Sequence, residues 1–205
     1  MANFSSVPSK STAEFLTAAD WNNYLRNNLN LGVARKLGET VLSVATATVA
    51  VTLSGDALLY RHLLVVVHAR GDTAATTATL RCRVNNDSAA NYYAQLLSAS
   101  AATTTASEAL AATSWKVGTI PAANATAGFF GVHQLLLAHY GNTSFRKSLR
   151  ASGGCFSGTG TGTGIVEDTV GVVNTNNNAV SEIDLFASAG NLDAGTVVSI
   201  YGLPD

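Results

Sequence analysis

Charge is what this sequence has least of. Asp, Glu, Lys and Arg make up 12% of its 205 residues, about half the usual share of a soluble domain. The 12 basic and 13 acidic residues leave a net charge of −1. No basic stripe is present to neutralise phosphates, so nucleic acid is not an expected partner. Long apolar runs are missing too: none approaches the roughly 18 residues that suggest a membrane span. The N-terminus, beginning Met1-Ala-Asn-Phe-Ser-Ser-Val-Pro, lacks the charged and apolar regions of a signal peptide. A soluble protein made in the cytoplasm is the expectation. There are two cysteines, Cys82 and Cys155. Neither has a Cys or His at ligand spacing, so the expectation is two free thiols and no metal or other cofactor.

What the chain has instead is Ala, Thr, Ser and Asn around regularly spaced apolar residues. A nearly neutral surface of this kind is poorly suited to staying dispersed, and it suits a protein that covers much of itself in an assembly. At this length the chain can build one sizeable core, with room for a small appendage.

Residues 1–16 carry no strong periodicity and read as an extended arm. A single amphipathic helix is expected next. Thr17 and Asp20 make a capping-box-like start. Trp21, Leu25 and Leu29 fall at i, i+4 and i+8 with Tyr24 beside them, and Gly32 is a natural stop. The opposite face is rich in Asn, so this helix would be marginal alone and should depend on docking its Trp21 face.

From about residue 39 the pattern becomes β. Val49, Val51 and Leu53 alternate with polar or small residues, and residues 63–67 are continuously apolar. Leu80, Cys82 and Val84 alternate with Arg81 and Arg83, and residues 92–97 form a returning strand. Residues 98–114, all but free of large apolar groups, read as a long loop or weak helix. Residues 115–120 are a short strand, 129–140 a second long apolar segment, and 145–151 a strand in which Lys147 interrupts the inner face as a candidate interfacial residue. Residues 152–164, Ser-Gly-Gly-Cys-Phe-Ser followed by the Gly/Thr tract 158–164, read as a flexible surface loop. Residues 181–203 read as a closing β-hairpin, with Ile183 and Leu185 inward, Glu182 and Asp184 toward solvent, and bends at Gly190-Asn191 and Ala194-Gly195. Nine to eleven strands without interleaved helices predict an all-β sandwich or barrel.

No grouping points to chemistry. The Gly/Thr tract lacks both the P-loop ending and the dinucleotide fingerprint. His62 and His68, like His133 and His139, are six residues apart, roughly 20 Å along a strand. A shared metal would therefore need histidines from different strands or a symmetry axis. Glu182 and Asp184 share a strand face, and alternation explains them as solvent-facing positions rather than a glycosidase pair. Glu167-Asp168, beside the Gly-rich loop, could bind a cation, without the spacing of a calcium loop. Nothing matches a nucleophilic triad. Tyr92, Tyr93 and Trp115 are the aromatics that a glycan-binding face would use, although two adjacent Tyr on a strand put one inside.

Three stretches carry a resemblance. Residues 17–29, with Trp21-Asn22 followed by Arg26-x-Asn28-Leu29, resemble a short N-terminal helix of tailed-bacteriophage virion proteins. The His62–Arg70, Leu80–Asn85 and Asn91-Tyr92 segments are similar to the central part of that group, and residues 194–203 to its C-terminal signature. Leu192 stands where the pattern usually has an aromatic. The resemblance implies a β-sandwich, jelly-roll-like, that assembles as an oligomer, often a trimer, on the capsid or tail. The resulting expectation is a non-enzymatic capsid decoration protein located in the virion. Residues 1–37 would form the attachment arm and helix, anchored by Trp21, Tyr24, Leu25 and Leu29. Residues 38–205 would form the displayed sandwich. Its expected partners are copies of itself, as a homotrimer, and the major capsid protein or other virion proteins. A tail fibre or tip protein contacting a host-surface glycan is the alternative, and a free carbohydrate-binding module is the alternative of a different class.

Overall fold

A computed structural model of the chain describes residues 34–160, 162–173 and 177–204. The expected anchor helix, with Trp21, Tyr24, Leu25 and Leu29, lies outside the described residues. Within them the protein is built of twelve strands and one short 3-10 helix. In chain order the strands are β1 (Arg35–Val41), β2 (Val49–Thr52), β3 (His62–Ala69), β4 (Thr77–Val84), β5 (Tyr92–Ser100), β6 (Thr103–Ala112), β7 (Trp115–Pro121), β8 (Gly131–Ala138), β9 (Ser148–Ser157), β10 (Thr163–Val173), β11 (Glu182–Ala187) and β12 (Val197–Leu203). The sandwich thus takes in Arg35, Lys36 and Leu37, which the sequence assigns to the attachment segment.

All pairings are antiparallel and make two sheets. The large one runs β1-β12-β3-β8-β9-β10-β5-β6 and the small one β2-β11-β4-β7. Set β5, β6, β9 and β10 aside, and the remaining eight strands pair first-eighth-third-sixth and second-seventh-fourth-fifth. That is the double Greek-key order of a jelly roll. The other four strands are two hairpins inserted into it, and both extend the large sheet on the same side.

The core lies between the small sheet and the strands opposite it. Leu63, Val65 and Val67 of β3, Leu135 and Leu137 of β8, and Val198 and Ile200 of β12 face Leu80 and Cys82 of β4 and Ile183 and Leu185 of β11. The period of two holds on β4 and β8, where every second residue is buried, because each of these strands has core on one face only. Tyr92 and Trp115 close one end of this core with their rings 5.1 Å apart, edge to face. Tyr93 points the other way and is half-buried. The Tyr92 hydroxyl donates to the Asp87 carbonyl (2.9 Å) and accepts from Val84 N–H (3.2 Å), fixing the turn between β4 and β5.

Three expectations change. The Gly-rich stretch 152–164 is not all loop, since β9 continues to Ser157 and β10 begins at Thr163, and their pairing holds both in the sheet. The closing segment is not a hairpin: β11 pairs with β2 and β4, whereas β12 pairs with β1 and β3 in the other sheet. The chain crosses the sandwich through residues 188–196, where Leu192 is fully buried and bridges to Thr46 and Gly71. Residues 98–112 are neither loop nor helix, since β5 continues to Ser100 and β6 follows after a two-residue turn at Ala101-Ala102. Nearly all of β6 is exposed on both faces, so it has no apolar alternation to betray it.

Candidate interaction surface

Among the described residues most buried polar side chains bond to backbone, while Trp115 Nε1, His133 Nδ1 and Asp184 Oδ2 make no hydrogen bond. The Arg70 guanidinium, buried at the end of β3, donates to four carbonyls: Thr126 and Phe129 (2.9 Å each), Ala125 (2.9 Å) and Ala123 (3.2 Å). It thereby fixes the whole β7–β8 connection, on which Thr126 in turn holds the Gly158 end of the β9–β10 loop. Lys147 is buried rather than interfacial. Its ammonium donates to the carbonyls of Asn142, Phe145 and Asn177, and desolvation lowers its pKa. Both thiols are free and buried. Burial raises the Cys82 pKa strongly and takes that of Cys155 to about 12, so neither is a nucleophile at neutral pH.

One row crosses the large sheet on its inner face, Val67, His133, Gly153, Glu167, Ser98 and Thr105 strand to strand, and His133 and Glu167 are its buried polar members. Gly153 supplies no side chain, which leaves space for the His133 ring. Gly118 of β7 closes over the same ring, and a Cβ at either glycine would overlap it. His133 Nε2 donates to the Thr119 carbonyl (2.9 Å), and burial lowers its pKa. Glu167, next along, accepts from Thr119 N–H and from its hydroxyl (3.1 Å), and pairs with Lys116 at 3.3 Å. Asp168 faces outward to Arg150 at 3.3 Å. Consecutive strand residues point to opposite faces, so Glu167 and Asp168 cannot share a cation.

His62 and His139 meet across β3 and the end of β8 with ring centroids 4.5 Å apart, and the His139 N–H donates to His62 Nδ1 (3.1 Å). Among the described residues no group of three or more His, Cys, Asp or Glu side chains could hold a metal ion. Asp184 corrects a sequence expectation, because it is only 4% exposed. Desolvation first, then a hydrogen bond and repulsion from Glu182, raises its pKa to about 6.

The two outer faces of the sandwich differ. That of the small sheet carries charges: Asp184 opposite Arg83, with Arg83 stacked over Phe186 at 4.4 Å. That of the large sheet is mostly apolar or neutral. One continuous row reads Val41, Val197, His68, Val132, Gly154, Val166, Ala99 and Thr104 across all eight strands. Val132, Leu136, Val166, Val170 and Leu97 are all exposed there, broken by the Arg150–Asp168 pair. Side chains of this kind on one broad sheet face are the usual mark of a protein contact. The sequence contained these residues, but only the strand register shows that they line up.

A second feature lies where residues 1–33 lead into the sandwich. Between the edge strands β1 and β2 is a cavity of about 350 Å³, lined by Leu37, Val51, Leu53, Ala57 and Ile200 with Arg35 and Lys36 at its side. Compared with known proteins, the chain matches no family model and no curated protein.

Proposed function

We propose that this protein is a non-enzymatic structural component of a tailed-phage virion, a capsid decoration protein attached through residues 1–37. The observation that carries the reading is the jelly roll widened into an eight-stranded sheet whose outer face exposes Val132, Leu136, Val166, Val170 and Leu97 among mostly neutral residues. A surface of that size and composition suits a molecule that works by contact. The interior polar groups support the same reading, since Arg70, Lys147, Glu167 and His133 are all engaged with backbone or with one another. Glu182 and Asp184 lie two residues apart on β11, where burial and Glu182 raise the Asp184 pKa to about 6. The sequence resemblance and the low charge point the same way.

The tail reading draws on a different observation. A shallow groove of about 280 Å³ on the outer face sets Tyr93 beside Gln95, Glu108 and Ser148, an aromatic with polar neighbours of the sort that holds a sugar. Copy number separates the two. Quantitative mass spectrometry of purified particles should find hundreds of copies of a decoration protein. A count near three, six or twelve would move the chain to the tail, and absence from particles would overturn the virion reading. In the decoration reading, Trp21→Ala abolishes particle binding and leaves the sandwich folded.

A further inference from the structure

The two sheets have four edges, and three of them are guarded in the ways that keep strands from pairing with other chains. β1 carries Arg35, Lys36 and Glu39 and has a register break between Lys36 and Gly38. β2 is four residues long. β7 ends in Pro121, contains Lys116, and pairs with a register break of its own. The fourth edge, β6, is ten residues long, contains neither Pro nor Lys, and has Glu108 as its single charge. A register break against β5 lies near its end, between Tyr92 and Ala94, with Ala111 at positive φ. The regular ladder is therefore Thr103 to Ala109. All of it but Ala109 is exposed, and among the described residues its outer backbone groups have no partner strand.

We infer that β6 is a self-association edge, on which a second copy of this chain pairs its own β6 antiparallel about a two-fold axis normal to the sheet. This deepens the self-association within the proposed function but does not need the particle to exist. Residues directly opposite in an antiparallel pair share a face, so the axis must fall on a residue. Centring the ladder on its middle residue puts Ala106 opposite Ala106 and Glu108 opposite Thr104. The two Glu108 carboxylates are then kept apart, whereas a ladder centred on Glu108 would oppose like charges at a cost. With a net charge of −1 per chain, two copies approach without general repulsion. The pairing also joins the outer faces of both copies, bringing Leu97 and Val170 of each toward a common apolar surface. A two-fold contact is a different closure from the trimer that the resemblance implies.

The test uses the full chain. Ala106→Cys under mild oxidation should give a disulfide-linked dimer as the main species, because Cys82 and Cys155 are buried and do not compete. Thr104→Cys should stay unlinked, since its own copy in the partner lies roughly 13 Å away along the strand. Ala106→Lys sets two ammonium groups across the axis on exposed positions, and should raise the dimer dissociation constant roughly tenfold or more in sedimentation velocity. Equal crosslinking of both cysteine variants would overturn the register. A monomer, or a trimer indifferent to Ala106→Lys, would overturn the edge pairing. So would slow amide exchange of β6 in a monomeric protein, which would mean that the chain's own residues 1–33 cover it.

Discussion

The large sheet is two different structures side by side. In β12, β3 and β8 the inner face meets the small sheet through buried Leu, Val and Ile. Among the described residues the inner face of β9, β10 and β5 meets β7, where Glu167 and Thr169 stand with apolar groups and His133 of β8 lies alongside. β6 meets nothing. The first half obtains its stability from buried area. The second obtains its place from backbone pairing and a few polar bonds. The comparison suggests a division of labour: a jelly roll that folds, and an attached wing that offers surface.

Substitutions should separate the halves by size of effect. Leu135→Ala or Leu185→Ala in the jelly roll, both fully buried, should cost about 2–5 kcal/mol in denaturant unfolding. Leu97→Ala, exposed on the wing, should stay within roughly 0.5 kcal/mol. Equal costs would erase the distinction. Next in size is Arg70→Met, which keeps much of the stem but leaves four carbonyls without their donor. A loss on the order of 3 kcal/mol is expected, with increased proteolysis of the β7–β8 connection rather than of β4 or β11.

pH sharpens the contrast further. Asp184 has a folded-state pKa of about 6, above the ordinary carboxylate value near 3.9. The folded state therefore holds the proton more tightly, and the stability this contributes is complete below pH ~4 and lost as pH rises through 6. His133 behaves in the opposite sense. Its pKa is lowered by burial, so falling pH below ~6.5 protonates the unfolded chain first and destabilises the fold. Asp184→Asn should thus raise stability by on the order of 1 kcal/mol at pH 7.5, with the gain vanishing by pH 4. His133→Gln should flatten the acid side of the curve instead. The smallest expected effect is Val132→Thr on the outer face, near zero in unfolding. Its consequence belongs in binding to particles or to other copies.

Much of the jelly roll is legible in the sequence because its strands have one wet and one dry face. The alternation at Leu80, Cys82 and Val84, and the run at residues 63–67, lead directly to β4 and β3. The wing is less legible for the same physical reason. β6 is wet on both faces, so Thr, Ser and Ala in a strand look like Thr, Ser and Ala in a loop. The last segment misleads because Gly190-Asn191 and Ala194-Gly195 serve a hairpin and a sheet crossing equally well, and which sheet a strand joins is not a local property. The buried His133–Glu167 row did leave a signal. Gly118 lies inside a strand pattern, where a glycine often marks something packed close against the backbone, whereas Gly153 reads as part of a loop.

Amide hydrogen exchange as a function of protein concentration tests the division of labour most directly. From micromolar to near-millimolar concentration, amides of Thr103–Ala109 in β6 should slow markedly while those of β3 and β8, already slow, stay unchanged. Exchange in β6 that is independent of concentration, or slowing that appears on the charged face of the small sheet instead, would contradict it.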